Sequence, residues 1–505
     1  MSLHAWIVLA VSAGAAGISA LRWMRVAQRE HYLAGSVTRF EIRWASVGGR
    51  DTLILVSAFA AAGGAFFVPQ TGWWTLAAAA AWPLRLGIRG RSSPLAWTPR
   101  LRRLAAATAV LWAAAVASGA ALGAPEGASS LAALLIPQFV DAAAAALGPV
   151  ERRLGGRFVA RATEALRRVR PTIVAITGSY GKTTTKAYVR HLLGTTAPVM
   201  ASPASFNNRM GLARAVNEHL SPGTKVFVAE MGTYGPGEIA SLCRWIPPDI
   251  AVITAIGPVH LERFGSLDVT AGSKAEILRG AATAVVNADS DILTPHVAAA
   301  GVERVVRCSA CDRDADVAAI PDGDLLRVLV DGAEVAAVER RGAFPMNVAC
   351  AVGAALAAGA DADAVVGRLA SLPEVEHRAT TAVGASGLTV IDDTYNANPD
   401  GARASVDRLA ALDAATKALV TPGMVELGRL QAAENRAFAE YAATRVDHLV
   451  IVGHTNRTAL REGAAPGPAR VVFAADRDEA VAWVRRNLGA GDAVLYENDL
   501  PDHYP

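Results

Sequence analysis

Cysteine is scarce: Cys243, Cys308, Cys311 and Cys350 are the four in a chain of 505 residues. Four are too few for a disulfide framework and point to a reducing compartment. Cys308 and Cys311 form a lone CxxC. With no second ligand pair nearby, metal or redox chemistry has little footing there, and a loop is the expected setting. Charge is thin as well. Only 19% of residues are Asp, Glu, Lys or Arg, low for a soluble enzyme, and the net charge is +3. So modest a charge argues against nucleic acid as a partner.

What is abundant is unevenly placed. Hydrophobic residues make up 52% of the chain, and the first 150 positions are rich in Ala, Leu, Val and Trp with Arg clusters between. Apolar stretches cover residues 4–22, 52–67, 72–84, 104–123 and 130–148. A membrane span takes about 17–25 residues, so the first, fourth and fifth qualify and the middle two are short. Those two, separated by "VPQTG", read as a hairpin of thin or tilted helices, which makes about five spans.

Charge offers an independent test. Arg25, Arg29, Arg39, Arg43 and Arg50 follow the first stretch, a second Arg group follows the third, and Arg152, Arg153, Arg157 and Arg161 follow the fifth. Between stretches two and three, and between four and five, there is no Lys or Arg. This alternation fits a multi-pass protein of the cell (inner) membrane, with its N-terminus outside and everything after residue 150 cytoplasmic. A cleaved signal peptide would account only for the first stretch; a buried, all-helical soluble domain is the plainer alternative. Few ionisable residues interrupt the stretches, so they suit an anchor in membrane lipid better than an ion pathway.

After this region "RFVARATEALRRVR", residues 157–170, reads as a basic helix, suited to anionic headgroups or simply to water. "PTIVAI" then reads as a buried parallel strand running into "TGSYGKTTTK". Gly178 and Gly181 let backbone amides approach phosphate oxygens at a helix start. Lys182 would neutralise the β- and γ-phosphates, and the Thr183 hydroxyl would hold Mg²⁺. The usual Walker spacing would place glycine where Ile176 stands, so this is a shorter GxxGKT turn preceded by Thr177. By itself the turn leaves a pump, a kinase and a ligase open.

The segments that follow narrow the choice. "SFNNRMG" carries Asn207 and Asn208, "KVFVAEMGTYGPGEI" ends a strand on Glu230, "PDIAVITAIGPVHLERFGS" places His260 after another strand, and "AGSKAEIL" offers Lys274 on a helix. Ligands gather at the carboxyl ends of parallel strands, where Glu230 and His260 can share a metal beside the phosphate turn. Either alone also suits a blander role, as a helix cap or a loop histidine. Further on, "GLTVIDD", "KALVTPG", "DHLVIVG", "ARVVFAA" and "AVLYEND" alternate with helical stretches, which argues for a doubly wound α/β domain.

From about residue 171 onward, the stretches "TGSYGKTTTK", "NNRMG", "AEMGTYGPGEI", "HLERFGS", "SKAEIL", "VNADSD", "EHR" and "DDTYNANPDGA" occur in an order that resembles the Mur ligase family, closest to its MurF type. That family makes amide bonds in cell-wall synthesis at the expense of ATP. The resemblance implies that Thr177, Gly178, Ser179, Tyr180, Gly181, Lys182, Thr183 and Thr184 bind ATP. It implies that Thr183 and Glu230 serve one Mg²⁺ and that His260 serves a second. Lys274 falls where the family carries a carbamylated lysine, so Lys182, His260 and Lys274 are the expected catalytic residues. Asn287 and Asn347 match positions near the adenine. Arg378, Asp393 and Asn396 match residues of a domain that closes over the nucleotide, and Asn207 and Asn208 match a substrate-side loop.

Two departures stand out. MurF-type enzymes begin with a soluble domain that grips the UDP end of the substrate, and here apolar stretches take that place. Where the family often shows "HNxxN" this chain has "MNVAC", with Met346 and Cys350 replacing His and Asn. The expected fold is an α-helical transmembrane domain (1–150), a basic linker helix (151–170), a central P-loop ATPase-like parallel-sheet domain (171–371) and a C-terminal Rossmann-like α/β domain (372–505). The expected function is a membrane-anchored ligase that uses ATP and two Mg²⁺ ions. It would join an amino-acid or dipeptide amine to an envelope-precursor carboxylate, UDP- or lipid-linked, through an acyl phosphate. The alternative within the class is MurF activity proper; outside it stands an ATP-driven transporter or sensor. The oligomeric state is not legible.

Overall fold

The computed structural model describes residues 2–46, 49–88, 95–194, 197–203, 206–340, 343–373, 380–394 and 398–499. The chain divides into two compact units, one through Leu154 and one running from Gly155 to Val452 and from Asn456 to Asp499.

The first unit is helical: α1 (Leu3–Arg29), α2 (Ser36–Ser46), α3 (Gly49–Gly64), α4 (Gly72–Ala81), α5 (Pro99–Ala121), α6 (Pro125–Leu134) and the start of α7 (Ile136–Val169). Helices α1 and α5 start on side-chain caps. Ser2 Oγ accepts from Ala5 N at 3.1 Å, and Thr98 Oγ1 accepts from Leu101 N at 3.2 Å with Pro99 in the first helical position. Their 27 and 23 residues reach about 40 and 35 Å at the α-helical rise. Either length clears the roughly 30 Å hydrocarbon core of a bilayer.

Five crossings are not what the helices support. The two middle stretches become α3 and α4, of 16 and 10 residues, roughly 24 and 15 Å long. Pro83 ends α4 in a 3-10 turn, Trp82–Arg85, and Pro69 opens another between α3 and α4. The fifth stretch is broken, with α6 and α7 meeting at 71°. Two helices are thus long and apolar enough to cross a membrane, or three if the bent pair is one span.

Large apolar side chains on this unit face outward, among them Leu3, Trp6, Leu53, Phe67, Val110 and Leu122. Inside, Trp23, Phe40, Trp44 and Trp82 pack together, with ring centroids of Trp44 and Trp82 4.8 Å apart. Asp141 of α7 accepts from Val37 N at 3.2 Å and Thr38 N at 2.8 Å, supplying acceptors for amides that the first turn of α2 leaves open. A packed interior beneath an apolar exterior is the arrangement expected of a unit that meets apolar surroundings.

The second unit holds two sheets. The first contains β1 (Thr172–Thr177), β2 (Val199–Ala201), β3 (Val226–Glu230), β4 (Ile250–Ile253), β5 (Thr283–Asn287), β6 (Arg304–Ser309), β7 (Val317–Asp322), β8 (Leu325–Val330) and β9 (Ala333–Glu339). Their order is β2-β3-β1-β4-β5-β6-β7-β8-β9, parallel through β7 and antiparallel beyond. β1 shows why both faces are covered. Ile173 and Ala175 join a core with Val159 and Leu166 of α7 and Leu212 and Val216 of α9 (Arg209–His219). Val174 and Ile176 point the other way, onto Val189 and Leu192 of α8 (Lys182–Leu193) and Val348 and Val352 of the helix Pro345–Ala357. The strand's period of two is thus apolar on both sides, as a doubly covered parallel sheet requires.

The second sheet comprises β10 (Thr380–Val383), β11 (Thr389–Asp393), β12 (Lys417–Thr421), β13 (His448–Val452), β14 (Arg470–Ala474) and β15 (Ala493–Glu497), in the order β10-β11-β15-β12-β13-β14. All pairings are parallel except β10 with β11. Helices Pro399–Ala410, Gln431–Ala443 and Arg457–Ala464 cover one face and Arg477–Asn487 the other.

Candidate active site

Strands β3, β1, β4 and β5 are neighbours, so whatever follows their carboxyl ends meets along one edge. The β1 turn is built around two glycines. Gly178 (φ +154°) and Gly181 (φ +78°) take backbone angles that side chains disfavour, and a Cβ at either would collide, with Thr254 Oγ1 and Asn347 Oδ1 respectively. Thr254, at the end of β4, ties the turn down through Thr177 O and Tyr180 O. Ser179 N donates to Ala255 O at 2.6 Å and Ser179 Oγ to Gly257 O at 3.1 Å. Lys182 opens α8 and folds its Nζ back onto Gly178 O (2.8 Å) and Ser179 O (3.2 Å). This places a cation and a helix N-terminus where a phosphate chain would lie.

Beside the turn stands Glu230, only 2% exposed. Thr183 Oγ1 donates to its Oε2 at 3.0 Å, Lys186 Nζ donates to the same oxygen at 2.9 Å, and Asn207 Nδ2 donates to Oε1 at 3.1 Å. Burial alone would push this carboxyl up. Lys186, Lys182 and the Asn207 bond pull harder, and it lies below its ordinary value. Lys274, on the helix Leu267–Ala275, is 4% exposed. Burial, and then the charge of Lys182, hold its amine well below the usual lysine range. Both effects disfavour the charged ammonium form.

His260 sits between β4 and the short helix Leu261–Phe264 with φ +55°. Its Nδ1 pairs with Glu426 from the loop after β12, so the two sheets' loops meet here.

Other candidates are placed differently. Asn208 Oδ1 caps α9, accepting from Gly211 N at 2.9 Å. Asn287 ends β5 with its Oδ1 accepting from Asp289 N at 2.9 Å. Asn347 lies buried against Gly181. Asp393 ends β11 and accepts from Ser405 Oγ at 2.5 Å. Thr177 Oγ1 is buried without a partner among the described residues, and Thr184 lies in the first turn of α8. Burial pushes the Tyr180 phenol up. Arg378 and Asn396 lie outside the described residues. Cys308, buried on β6, and the exposed Cys311 are free thiols.

Three contributors escaped the sequence reading: Lys186, Thr254 and Glu426. Lys186 carried a legible signal, since it stands four residues after Lys182 and three after Thr183, on one helical face.

Among the described residues no three His, Cys, Asp or Glu side chains form a ready metal cage. The donors present still fit Mg²⁺, which commonly takes one or two carboxylates together with substrate phosphates. A glycine turn, a lysine and a buried carboxylate at the edge of a parallel sheet define a nucleotide-using α/β enzyme. Residues 176–355 match the Mur ligase middle domain and residues 377–496 the Mur ligase, glutamate ligase domain. UDP-N-acetylmuramoyl-tripeptide--D-alanyl-D-alanine ligase of Mycobacterium tuberculosis is 34% identical over 360 residues, covering 64% of this chain and 69% of the relative. A crystal structure of MurF from Acinetobacter baumannii superimposes with TM-score 0.59 at 25% identity, over 68% of this chain and 76% of that one. MurF ligase from Thermotoga maritima in complex with ADP shares the fold, with TM-score 0.58 at 24% identity over 68% and 80% of the two chains. The chain belongs to the Mur ligase family. It is accordingly an ATP-dependent ligase that forms C–N bonds, in a family that uses ATP and Mg²⁺.

Proposed function

We propose that this protein is a membrane-anchored amide ligase that activates the carboxylate of a cell-envelope precursor as an acyl phosphate. The arrangement that carries the reading is Glu230, held by Thr183, Lys186 and Asn207, beside the glycine turn. In this reading Lys182 and the amides at the start of α8 hold the ATP phosphates and oppose the charge gathering on the transferred phosphoryl. Thr183 and Glu230 hold one Mg²⁺, and His260 a second. Bound there, the ions would supply electrostatic stabilisation to the phosphoryl oxygens. Lys274 would add through its uncharged amine to carbon dioxide and lose a proton, and the carbamate oxygens would join His260 in holding the second ion.

The substrate carboxylate oxygen attacks the γ-phosphorus and ADP leaves. The amine nitrogen then attacks the acyl carbon, and phosphate leaves as the nitrogen gives up a proton. In this reading Asn207 and Asn208 belong to a loop on the substrate side. Asp393, with Arg378 and Asn396, belongs to the domain that closes over the nucleotide and keeps water from the acyl phosphate. The domains run 1–150, 151–170, 171–371 and 372–505. Helices α1 and α5 anchor the enzyme, with α6 and α7 as a third, broken crossing, and the arginine-rich segments place the catalytic part on the cytoplasmic side. The names of the relatives make D-alanyl-D-alanine the first amine to try. The anchor favours a lipid-linked carboxylate over a UDP-linked one.

Full-length protein in detergent, ATP and D-alanyl-D-alanine, offered UDP-linked tripeptide or its lipid-linked counterpart with ¹⁸O in the carboxylate, tests the reading. A condensed product and ¹⁸O in the released phosphate are expected, both lost in Lys182→Ala. Phosphate free of ¹⁸O would exclude the acyl phosphate, and ATP hydrolysis indifferent to any amine would favour a transporter. Recovery of the protein from carbonate-washed membranes tests the anchor.

A further inference from the structure

The contact between His260 and Glu426 joins the loops of two different sheets, and several features concentrate on it. Both residues hold positive φ, +55° and +63°, a conformation that side-chain-bearing residues disfavour and that persists where surroundings impose it. The chains approach closely there. A Cβ at Gly428 would lie 3.2 Å from Glu262 N, and Glu262 N reaches Glu426 O at 3.4 Å. Arg263 Nη2 lies 3.9 Å from Glu426 Oε1 while its guanidinium covers the Tyr234 ring, whose centroid is 5.1 Å from that of His260.

The loop presenting Glu426 is itself pinned. Asn435 Nδ2 donates to Met424 O and its Oδ1 accepts from Met424 N, at 2.9 and 2.8 Å. Asn456 Nδ2 donates to Pro422 O and Met424 O, both at 3.0 Å. Asn498 Nδ2 donates to Gly423 O at 2.7 Å. A carboxylate held this firmly fixes the ring it touches: with Nδ1–H given to Glu426, the second ring nitrogen, Nε2, carries the lone pair. Nε2 has no hydrogen-bond partner among the described residues.

We propose that Glu426 is a positioning residue. Carried by the second sheet's domain, it sets the tautomer and direction of His260 so that Nε2 can take a divalent cation beside the transferred phosphate. The cation site is then complete only when the two domains are docked, which links closure over the nucleotide to metal loading. This rests on the assignment of His260 to the second Mg²⁺ made above. Carboxylates that orient a metal-binding histidine typically account for a 10–100-fold change in metal affinity.

The test uses full-length protein in detergent, Mn²⁺ as the paramagnetic probe, a non-hydrolysable ATP analogue and electron spin resonance titration. Glu426→Ala should weaken the second Mn²⁺ about 10–100-fold, leave the first unchanged, and lower kcat with little effect on KM for ATP. Glu426→Gln, whose amide oxygen still accepts from Nδ1–H, should recover most of the affinity. Unchanged or tighter Mn²⁺ binding in Glu426→Ala overturns the proposal, as does equal loss in both variants. His260→Ala separates the two layers. If it keeps the second Mn²⁺, the metal assignment itself falls; if it loses the ion while Glu426→Ala keeps it, only the positioning role falls. Melting temperatures close to wild type exclude misfolding as the cause.

Discussion

Lys186 Nζ lies 2.9 Å from Glu230 Oε2, with 7% and 2% of the two side chains exposed. The lysine one helical turn beyond Lys182 is therefore spent on a carboxylate. Removing one member of a buried pair strands the other, at a typical cost of about 3–5 kcal/mol, whereas replacing both by apolar groups is often neutral. Lys186→Met should therefore destabilise the folded protein by about that amount in metal-free buffer, and Lys186→Met combined with Glu230→Leu should restore most of the loss. Denaturant midpoints of the two singles and the double measure the coupling. An additive double variant would show that the pair contributes no coupling.

Gly181 tests the phosphate turn without touching a charge. Its φ of +78° and the position of Asn347 Oδ1 leave no room for a Cβ. Gly181→Ala should cost about 1–2 kcal/mol through backbone strain and should also push Asn347 out of place. The expected result is loss of binding of a fluorescent ATP analogue at concentrations that saturate the wild type, with the far-ultraviolet circular dichroism unchanged. Asn347→Gly in the same background relieves the collision and should recover part of the binding, leaving only the strain.

The parts of this site that could be read in advance are those where one chain segment carries its own signal. The apolar strand, the glycines of the turn and the lysine opening α8 follow one another from Thr172 to Lys182, so local pattern suffices. Glu230 and Thr183 required only the assumption that strand ends share an edge. Glu426 carried no such signal, because its meaning depends on a loop 166 residues from His260 in sequence. Asn208 and Asn287 carried a motif signal, and what the fold adds is that each Oδ1 also accepts from a nearby backbone amide. In the helical unit the apolar stretches and the shortness of the middle two were legible, but the bend near Leu135 was not, and it breaks the fifth stretch into two helices meeting at 71°.

Lys274 makes a chemical prediction. Burial and Lys182 keep its amine below the usual lysine range, which raises the share of the uncharged form that reacts with carbon dioxide. Full-length protein equilibrated with ¹³C-bicarbonate should show a carbamate carbon resonance that is absent from Lys274→Ala. Degassed, bicarbonate-free buffer should reduce ligase turnover, and Lys274→Glu, which supplies a carboxylate of similar reach, should retain more activity than Lys274→Ala. A missing resonance together with full activity in carbon dioxide-free buffer would exclude the carbamate.

Glu497 gives the clearest pH signature. It ends β15 beside Asp393 of β11, is fully buried, and accepts from Thr421 Oγ1 at 2.5 Å through Oε2. Its other oxygen has no partner among the described residues. Burial, followed by the charge of Asp393 against the Thr421 bond, raises its carboxyl to about 8. Because the folded value exceeds the unfolded one, the native state binds the extra proton between roughly pH 4.5 and 8. The sign follows: the neutral acid sits comfortably at low pH, and stability drains away as pH rises through that window, flattening above about 8. Glu497→Gln keeps an acceptor for Thr421 and cannot ionise. The variant should therefore match the wild type near pH 5 and melt roughly 5–10 °C higher near pH 9. Scanning calorimetry of both proteins across that range checks it, and parallel melting curves for the two would show that Glu497 is ionised in the fold at every pH tested.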